Sequence, residues 1–402
     1  MMLAIVMVGL PARGKTYTAR KISRYLSWRG LRARVFNVGT FRRKMAGAKV
    51  PHSFFDPGNT SGQKARKEAA KAALEDMVGW FEEGGEVGIY DATNSTKERR
   101  LWVKQRLQKS GVRVAFLESI CRDVRIIEAN IREHKISSPD YEGIDADEAI
   151  RDFRSRISHY DSVYETLEPE EGSWIQIVDA GRQVISNELS SYLETKIATF
   201  VMNLHLRPKT IYLSRHGQSL FNLQNRVGGD SSLSPDGRIY AESLAKHFES
   251  TEYQQIWTST MNRTVETAEA LGGSDRKIRV LDEINAGICD GLSYAEIEKK
   301  YPQIAIDRRS DKLRYRYPQG ESYEDVIERL ESVIFELEHS KESILVIAHQ
   351  AVLRALYAYF ANRSRQDVPY LSIPLHTIIE LRPQTYGCVE RRLALPPLID
   401  EH

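Results

Sequence analysis

Apolar and polar positions alternate along the first two hundred residues in a way that predicts strands and helices in turn. The uninterrupted apolar run LAIVMV is typical of a strand buried on both faces. The segment KTYTARKISRYLSWRG follows with helical spacing and ends at Gly30. Further strands are predicted in RARVFNVG, VGIYDATN, RVAFLESI and SWIQIVDAG, and further helices in QKARKEAAKAALEDMVGWFEEGG, TKERRLWVKQRLQKSG and ISNELSSYLETKIATFVMNLHL. Strands that alternate with helices indicate a parallel sheet covered on both faces.

A second pattern of the same kind starts near Pro208. Buried strands are predicted in TIYLSRHG, QQIWTST and SILVIAHQ, and helices in SYEDVIERLESVIFELEHS and AVLRALYAYFAN. We therefore expect two α/β domains, residues 1–208 and 209–402.

Composition adds exclusions to this picture. Among 402 residues, 41% are hydrophobic and the formal net charge is +2, so no global field favours nucleic acid or a membrane surface. The N-terminal MMLAIVMVGL is too short to span a bilayer and has no basic flank, which favours a buried strand over a signal peptide. The widely spaced Cys121, Cys289 and Cys388 are typical of reduced thiols, so we expect a cytoplasmic protein.

The first chemical motif lies between the first strand and the first helix. Residues 9–16, GLPARGKT, fit the phosphate-binding pattern G-x-x-x-x-G-K-[ST] in its expected strand-to-helix context. Glycines let backbone N–H groups converge on phosphate oxygens, and the helix N-terminus adds a positive dipole. Lys15 is then expected to neutralise the β- and γ-phosphates, and the hydroxyl of Thr16 to bind Mg²⁺. A glycine turn without a ligand would give Lys15 and Thr16 no reason to be there.

Other polar residues follow the neighbouring predicted strands. Asp91 ends the strand VGIYD, where an acid would face the phosphates; it is expected to hold Mg²⁺ or to orient and deprotonate an attacking hydroxyl. The alternative is that Asp91 caps the helix TKERR. Basic residues in the same regions are candidates for clamping an anionic acceptor, with solvated surface as the alternative: Arg42, Arg43, Arg99, Arg100, Arg132 and Lys135.

The second motif, Arg215-His216-Gly217, ends a strand of the second domain. Neutral imidazole is a good phosphate acceptor, so His216 is expected to attack phosphorus. Arg215, Arg263 and His349 are expected to stabilise the equatorial oxygens, while Glu283 protonates the leaving alkoxide and then deprotonates water. No metal is needed for this chemistry. For His349 alone, the alternative is a histidine satisfied at a strand end.

Taken together, the motifs resemble those of the 6-phosphofructo-2-kinase/fructose-2,6-bisphosphatase family over essentially the whole chain. The resemblance rests on GLPARGKTY, FNVG with paired arginines, DATN with ERR, KISSPDY, RHG, GGDSSLS, WTS, TAEAL, EINAG, YRYPQGESYED, HQAVLR and PLHT. It implies an N-terminal P-loop kinase-like parallel-sheet domain followed by a histidine-phosphatase/phosphoglycerate-mutase-like α/β domain. It also implies synthesis of fructose 2,6-bisphosphate from fructose 6-phosphate with ATP and Mg²⁺, hydrolysis of the 2-phosphate through a phosphohistidine, and a homodimer formed through the kinase halves.

The resemblance also implies roles for individual residues. In the first domain, Asp91 and Cys121 match kinase active-site positions, although a cysteine after a strand is also typical of core packing. Asn130 and Lys135 line the ATP site, with Lys135 at the transferring phosphoryl group. The remaining ATP contacts are Gly9, Leu10, Pro11, Ala12, Arg13, Gly14, Lys15, Thr16 and Tyr17. The fructose 6-phosphate contacts are Arg42, Arg66, Thr93, Arg99, Arg156 and Tyr160. In the second domain, the sugar-bisphosphate contacts are Asn222, Gly228, Tyr294, Arg308, Lys312, Tyr323, Gln350 and Arg354.

Two positions depart from the resembled family: Gln218 stands where Glu is usual after RHG, and Thr40 where an acid is common. Gln218 motivates one alternative, a kinase with a degenerate, binding-only phosphatase domain, while the presence of His216, Glu283 and His349 argues against it. A second alternative is a mutase fused to a kinase of nucleotides or nucleic acid, although the chain lacks a basic tract with interleaved aromatics. A non-enzymatic scaffold would leave two complete catalytic sets without a purpose.

Overall fold

The chain divides into two compact units, Met1–Leu206 and Arg207–His402. The computed structural model describes residues 2–132, 139–205, 208–384 and 387–399. Each unit contains a six-stranded sheet of its own.

The sheet of the first unit has the strand order β2-β3-β1-β4-β5-β6, in which only β6 is antiparallel to its neighbour. Its strands are β1 Leu3–Val8, β2 Ala33–Asn37, β3 Val87–Asp91, β4 Arg113–Ile120, β5 Trp174–Val178 and β6 Gln183–Asn187. Its helices are α1 Lys15–Trp28, α2 Val38–Ala46, α3 Thr60–Glu82, α4 Lys97–Gln108, α5 Val124–Asn130, α6 Ala146–Asp161 and α7 Tyr192–Met202.

The apolar run of β1 is buried on both faces, as predicted. On one face, alternate β1 residues pack in a cluster with the apolar stripes of α3 and α4, including Met77 and Leu107. The other β1 side chains, including Ile5, are equally buried. On α1, the ring of Tyr25 stacks on that of Phe200 from α7, with ring centroids 4.4 Å apart. The central strand is therefore held in register by packing, and its carboxyl end is fixed in place.

One predicted helix of the first unit is wrong at its start. The segment 185–206 begins with the end of β6, and α7 starts only at Tyr192, capped by the side chain of Ser191. Short-range periodicity did not separate them, because β6 is an edge strand with mostly exposed side chains.

The second unit has the strand order β12-β11-β7-β10-β8-β9. β7, β10, β8 and β9 are parallel, whereas β11 is antiparallel to both of its neighbours. The strands are β7 Ile211–Arg215, β8 Gln255–Thr258, β9 Arg276–Lys277, β10 Ile344–Ala348, β11 Thr377–Gln384 and β12 Gly387–Ala394. The helices are α8 Leu220–Leu223, α9 Pro235–Phe248, α10 Asn262–Glu269, α11 Tyr294–Lys300, α12 Pro302–Ser310, α13 Tyr323–Arg329, α14 Glu331–His339 and α15 Gln350–Phe360.

The second unit also refines the predicted elements. The predicted helix 322–340 is two helices, α13 and α14, which meet at Leu330. The antiparallel pair β11 and β12 was not predicted, because half of the residues of β12 are exposed and none of them is buried. The carboxyl ends of β7 and β10, which pair directly, bring Arg215 and Ala348 opposite each other. The residues that follow these two strands therefore meet.

Candidate active sites

The loop between β1 and α1 has the geometry of a phosphate cradle. Gly9 has φ +135°, and a Cβ there would lie 2.5 Å from the carbonyl oxygen of Ser119. Gly14 has φ +82° and caps α1. Nζ of the buried Lys15 donates to the carbonyl oxygen of Leu10 across the loop, at 2.6 Å. Backbone N–H groups, a helix N-terminus and a cation are thus placed together, which is the arrangement that binds phosphate.

Asp91 lies at the same edge of the sheet. It is buried, and its Oδ2 accepts a hydrogen bond of 2.5 Å from Nδ2 of Asn37, its register partner at the end of β2. The segment after Asp91 reaches the cradle, because Gly9 N–H donates to the carbonyl oxygen of Thr93 at 2.9 Å. The alternative reading of Asp91 as a helix cap is wrong, since Thr96 caps α4.

Two further residues of the predicted nucleotide site lie beside the loop. Nδ2 of Asn130 donates to the carbonyl oxygen of Ala12 at 3.1 Å. Cys121 follows β4 and is buried, with Sγ 3.9 Å from the carbonyl oxygen of Asp123. Burial raises the pKa of the Cys121 thiol, so it stays protonated at neutral pH. The predicted Lys135 lies outside the described residues.

Three predicted acceptor-binding arginines converge on one aromatic ring. The guanidinium carbons of Arg42, Arg66 and Arg156 lie 5.6, 5.9 and 4.6 Å from the ring centroid of Phe55. These arginines come from α2, α3 and α6, respectively. The ring of Tyr160 also contacts Phe55, with centroids 6.0 Å apart. The side chains of Tyr160 and Thr93 are joined by a hydrogen bond, and burial raises the pKa of Tyr160.

Sequence reasoning did not single out Asp140 or Phe55, which organise this arginine cluster. Oδ2 of the buried Asp140 accepts from Nη2 of Arg42 at 2.7 Å and lies 3.5 Å from Nη1 of Arg156. Nη1 of Arg43 lies 3.8 Å from the same oxygen. No local pattern indicates such contacts, because Asp140 and Arg42 are 98 positions apart.

Arg99 and Arg100 point to different surroundings. Nη2 of Arg99 donates to the hydroxyl of Tyr90 at 3.1 Å, and its guanidinium covers the ring of Trp102. Arg100 is fully buried and pairs with Glu171, at 2.6 Å from Nε to Oε2. Its other nitrogens donate to the carbonyl oxygens of residues 94, 165 and 166. The prediction that Arg100 clamps an acceptor is therefore wrong. Arg132, the candidate after α5, is exposed to solvent.

In the second unit, His216 follows β7 and is buried. Its Nδ1 lies 2.7 Å from the carbonyl oxygen of Gly217, which only accepts, so Nδ1 carries the proton. Nε2 then holds a lone pair, to which Nε of Arg263 donates at 3.1 Å. Burial, reinforced by the charges of Arg263 and Arg215, lowers the pKa of His216 well below 6.5. A neutral imidazole with Nε2 as its basic nitrogen is the form that attacks phosphorus.

The other predicted residues of this pocket surround His216. The rings of His216 and His349 have centroids 5.2 Å apart. Arg215 is buried and donates to the carbonyl oxygen of Ile373 at 3.1 Å. Oε1 of Glu283 accepts from the backbone N–H of Ala351 at 3.2 Å. Burial lowers the pKa of Arg263, and the negative charge of the nearby Glu283 partly opposes this effect. The structure thus gathers the acid, the cations and both histidines into one pocket.

A cavity of about 300 Å³ in the same unit is lined by several predicted sugar-bisphosphate contacts. The guanidinium of Arg308 lies 5.4 Å from the ring centroid of Tyr294, and Lys312 Nζ lies 5.4 Å from that of Tyr370. Burial, followed by the charges of Arg308 and Arg354, lowers the pKa of Lys312 to about 8. Sequence reasoning missed Tyr317 and Tyr370 as lining residues, since aromatic side chains are equally frequent in cores.

Tyr323 and Arg354 connect the cavity electrostatically to the histidine pocket. Nη1 of Arg354 donates to the hydroxyl of Tyr323 at 2.9 Å. The charges of both Glu283 and Arg308 act on Tyr323. A ligand with two phosphates would therefore meet cations at both ends.

The remaining predicted residues occupy structural positions near the pocket. Asn222 forms a capping box with Ser219 at the start of α8, and Gln350 is the first residue of α15. Gly228 has φ +68°, and a Cβ there would clash with Oδ1 of Asp290. Oε1 of Gln218 accepts from the hydroxyl of Ser234 at 2.9 Å. The side chain of Gln218 is thus engaged with the cap of α9.

Within the described ranges, no group of three or more His, Cys, Asp and Glu side chains is arranged to hold a metal ion. Asp91 and Thr16 supply a carboxylate and a hydroxyl, the kind of oxygen ligands that Mg²⁺ takes together with phosphates. The donor set fits a nucleotide-bound Mg²⁺. Across the described helices, none is both long and apolar enough to traverse a bilayer.

Comparison with known proteins agrees with both units. The sequence profile of 6-phosphofructo-2-kinase matches residues 1–208, and that of the histidine phosphatase superfamily (branch 1) matches residues 211–395. A 6-phosphofructo-2-kinase/fructose-2,6-bisphosphatase of Arabidopsis thaliana is 49% identical over 98% of this chain, which spans 54% of that protein. The 6-phosphofructo-2-kinase/fructose-2,6-bisphosphatase 4 of Homo sapiens is 47% identical over 96% of this chain, and the matched region spans 83% of the human protein. A mycobacterial glucosyl-3-phosphoglycerate phosphatase structure, 26% identical, covers 43% of this chain and 92% of its own with a TM-score of 0.40.

The fold and the two sites define a kinase-type α/β unit followed by a histidine phosphatase unit. The chain belongs to the 6-phosphofructo-2-kinase/fructose-2,6-bisphosphatase family, whose curated members are bifunctional enzymes.

Proposed function

We propose that this chain makes fructose 2,6-bisphosphate from fructose 6-phosphate and ATP in its first unit, and hydrolyses the 2-phosphate in its second unit. The observation that carries the proposal is the neutral, buried His216, whose Nε2 lone pair lies beside Arg263 and the ring of His349. A histidine in this state is a nucleophile poised for phosphorus. Its presence argues against a phosphatase unit that only binds ligand.

The phosphatase reaction proceeds in two balanced steps. Nε2 of His216 forms a bond to the phosphorus of the 2-phosphate, and the bond from phosphorus to the sugar oxygen breaks. Glu283 protonates the leaving oxygen, which gives fructose 6-phosphate. Glu283 then removes a proton from water, whose oxygen bonds to phosphorus while the P–N bond breaks. Inorganic phosphate leaves, and His216 is again neutral.

The cations of the pocket stabilise charge during both steps. Arg215, Arg263 and His349 bind the equatorial oxygens, where negative charge accumulates in the transition state. The cavity of Tyr294, Arg308 and Lys312 binds the 6-phosphate at the far end of the substrate. Tyr323 and Arg354 contact the sugar between the two phosphates.

In the kinase unit, the cradle of residues 9–17 holds the triphosphate of ATP, and Lys15 neutralises its β- and γ-phosphates. Mg²⁺, when bound to Thr16 and Asp91, supplies neutralising charge to the phosphates. Asn37 fixes the carboxylate of Asp91 at the edge of the sheet. Cys121 and Asn130 line the same site, and Lys135 supports the transferring phosphoryl group.

Fructose 6-phosphate binds at the arginine cluster around Phe55. Arg42, Arg66 and Arg156 supply the charge for its phosphate, and Asp140 pre-orients two of them. Thr93, Arg99 and Tyr160 complete the acceptor site. Their convergence from separate helices supports a compact anionic acceptor over a polymer.

The test uses the purified chain, assayed first with MgATP and fructose 6-phosphate and then with fructose 2,6-bisphosphate alone. We expect Lys15→Met to abolish synthesis and spare hydrolysis, and His216→Ala to do the reverse. Synthesis without hydrolysis in the unmodified chain would reduce the second unit to a binding module. If folded protein catalyses neither reaction, the proposed substrates are wrong.

We also propose a cytoplasmic homodimer formed through the kinase units. Family resemblance supports the dimer, and the absence of disulfides among the three cysteines supports a reducing compartment. Light scattering of the purified protein tests whether it is a dimer. The same measurement without residues 209–402 tests whether the kinase units form the dimer interface.

A further inference from the structure

Ser259 forms a hydrogen-bond network with His349 and Thr264 beside the phosphatase pocket. Ser259 takes no part in the proposed phosphatase steps. It follows β8 and is fully buried. Its Oγ lies 2.8 Å from Nε2 of His349 and 2.7 Å from Oγ1 of Thr264. The backbone N–H of Met261 donates to the same oxygen at 3.1 Å. Three hydrogen bonds therefore meet at one hydroxyl, which has one hydrogen to give and two lone pairs to offer.

The position of that single hydrogen follows from the neighbouring carbonyl group. Oγ1 of Thr264 lies 2.8 Å from the carbonyl oxygen of Met261, a distance that is favourable only if Thr264 supplies the hydrogen. The hydroxyl of Thr264 then has none left for Ser259. The contact of 2.7 Å between the two hydroxyls must be filled by the hydrogen of Ser259. Ser259 consequently accepts from Met261 N–H and from Nε2–H of His349.

We infer that Ser259 is a positioning residue that holds neutral His349 with its proton on Nε2, so that a phosphate ligand binds together with a proton taken up at Nδ1. The inference rests on the proposed phosphatase function. Nδ1 is the ring nitrogen of His349 that has no hydrogen-bond partner in the described structure. The two buried histidines thus hold opposite tautomers: His216 keeps its proton on Nδ1, and His349 keeps its proton on Nε2.

The surrounding charges explain why the proton arrives with the ligand. The charged or titratable groups that face His349 are Arg215 at the end of β7, His216 directly after it, Arg263 on α10 and Arg329 on α13. An acidic group near this network is Glu283, whose Oε1 accepts from the backbone N–H of Ala351, two residues after His349. Burial and the four basic neighbours keep the pKa of His349 well below 6.5 before a ligand binds. A phosphate dianion reverses this balance, because it attracts a positive imidazole and repels a bare lone pair.

The first measurement reads the tautomer directly and needs no activity. The full chain is labelled with ¹⁵N-histidine, and the ring nitrogens of His349 are identified by their loss in His349→Gln. We expect a protonated Nε2 and an unprotonated Nδ1 at neutral pH without ligand. A proton on Nδ1 instead would overturn the inference, even if the protein hydrolyses fructose 2,6-bisphosphate normally.

The second measurement counts protons taken up with inorganic phosphate as the probe. Phosphate binding is measured by calorimetry in two buffers of different ionisation enthalpy, at a pH where phosphate is a dianion. The number of protons taken up per site by His349 is the value for the unmodified chain minus the value for His349→Gln. We expect about one proton for the unmodified chain. In Ser259→Ala, the acceptor that holds the proton on Nε2 of His349 is gone, so Nδ1 can carry the hydrogen before phosphate binds. The number of protons taken up by this variant should therefore drop well below one.

Thr258→Val is the matched control, because Thr258 is the adjacent buried residue and its hydroxyl has no hydrogen-bond partner in the described structure. We expect this variant to keep the proton uptake and the tautomer of the unmodified chain. Equal uptake in Ser259→Ala and Thr258→Val would remove Ser259 from its assigned role. If Ser259→Ala does not fold, the labelled unmodified chain still decides the tautomer.

Discussion

Arg263 donates the hydrogen of Nε to Nε2 of His216 across 3.1 Å, so the basic nitrogen of the nucleophile is occupied until a phosphoryl group arrives. The same guanidinium is anchored by a bond of 2.6 Å from Nη1 to the carbonyl oxygen of Gly229. Arg263 therefore orients His216 first and is already in place for the phosphoryl oxygens when Nε2 attacks.

Replacing Arg263 tests this double role. We expect Arg263→Ala to lower kcat for hydrolysis of fructose 2,6-bisphosphate by about 10²–10³-fold, because one preorganised charge donor is lost. Synthesis of the bisphosphate should be unchanged. Arg238→Ala is the control, since Arg238 is an exposed arginine of the same unit, on α9. A kcat for Arg263→Ala near that of the control would contradict the assigned role.

Lys312 predicts a pH dependence of substrate binding. Its pKa is lowered to about 8 by burial, so the ammonium form dominates below that pH and is lost above it. We expect KM for fructose 2,6-bisphosphate to rise as the pH increases through 8, with little change in kcat. Lys312→Arg keeps its charge and should remove this rise. Identical KM profiles for both proteins would show that another group controls binding.

Arg100, which is fully buried, forms an ion pair with the partly buried Glu171, and the loss of this arginine should destabilise the first unit. Arg100→Met removes the charge that pairs with Glu171 and the donor to three carbonyl oxygens, and we expect the free energy of unfolding to fall by about 3–5 kcal/mol. Four of the five tryptophans lie in this unit, so their fluorescence during denaturation follows it. Arg106→Ala breaks a half-exposed pair with Glu75 and should change stability by at most about 1 kcal/mol. Similar losses in both variants would refute the argument.

The close approach of Gly9 to β4 predicts a selective loss of kinase activity. Gly9→Ala places a Cβ 2.5 Å from a backbone oxygen at an unfavourable φ, so the cradle must distort. We expect synthesis to be lost while hydrolysis persists. Gly79→Ala lies within α3, where a Cβ meets no atom within 4 Å, and should instead stabilise the unit by about 0.5–1 kcal/mol. Retained synthesis in Gly9→Ala would show that the loop tolerates a side chain.

Residues whose chemistry depends on a local motif could be predicted from the sequence. The strand of residues 3–8, the turn at Gly9 and Gly14 and the helix from Lys15 are encoded within thirty positions, and all appear as expected. His349 follows the continuous apolar strand β10, and His216 follows β7, whose first three residues are apolar. Parallel pairing of β7 with β10 brings the two histidines together. Such patterns are visible because strand periodicity and glycine conformations are local properties.

Residues whose role depends on distant partners could not be predicted. Arg99 and Arg100 are adjacent and chemically alike, yet one covers an aromatic ring while the other is fully buried on a carboxylate 71 positions away. The edge strand β6 and the pair β11 and β12 also escaped prediction. No residue of β6 or β12 is buried, and the short apolar run of Ile378 and Ile379 in β11 is followed by the charged Glu380.

The sequence alone determined which chemistry the two halves carry, since a phosphate cradle and a strand-end histidine are specified by short runs of residue types. The tertiary structure decided which side chains complete each site and in which protonation state. It placed Asp140 among the arginines and set the proton of His216 by a carbonyl oxygen. The physical reason is that burial and hydrogen-bond geometry depend on contacts between distant segments, which form only when the sheets and helices pack.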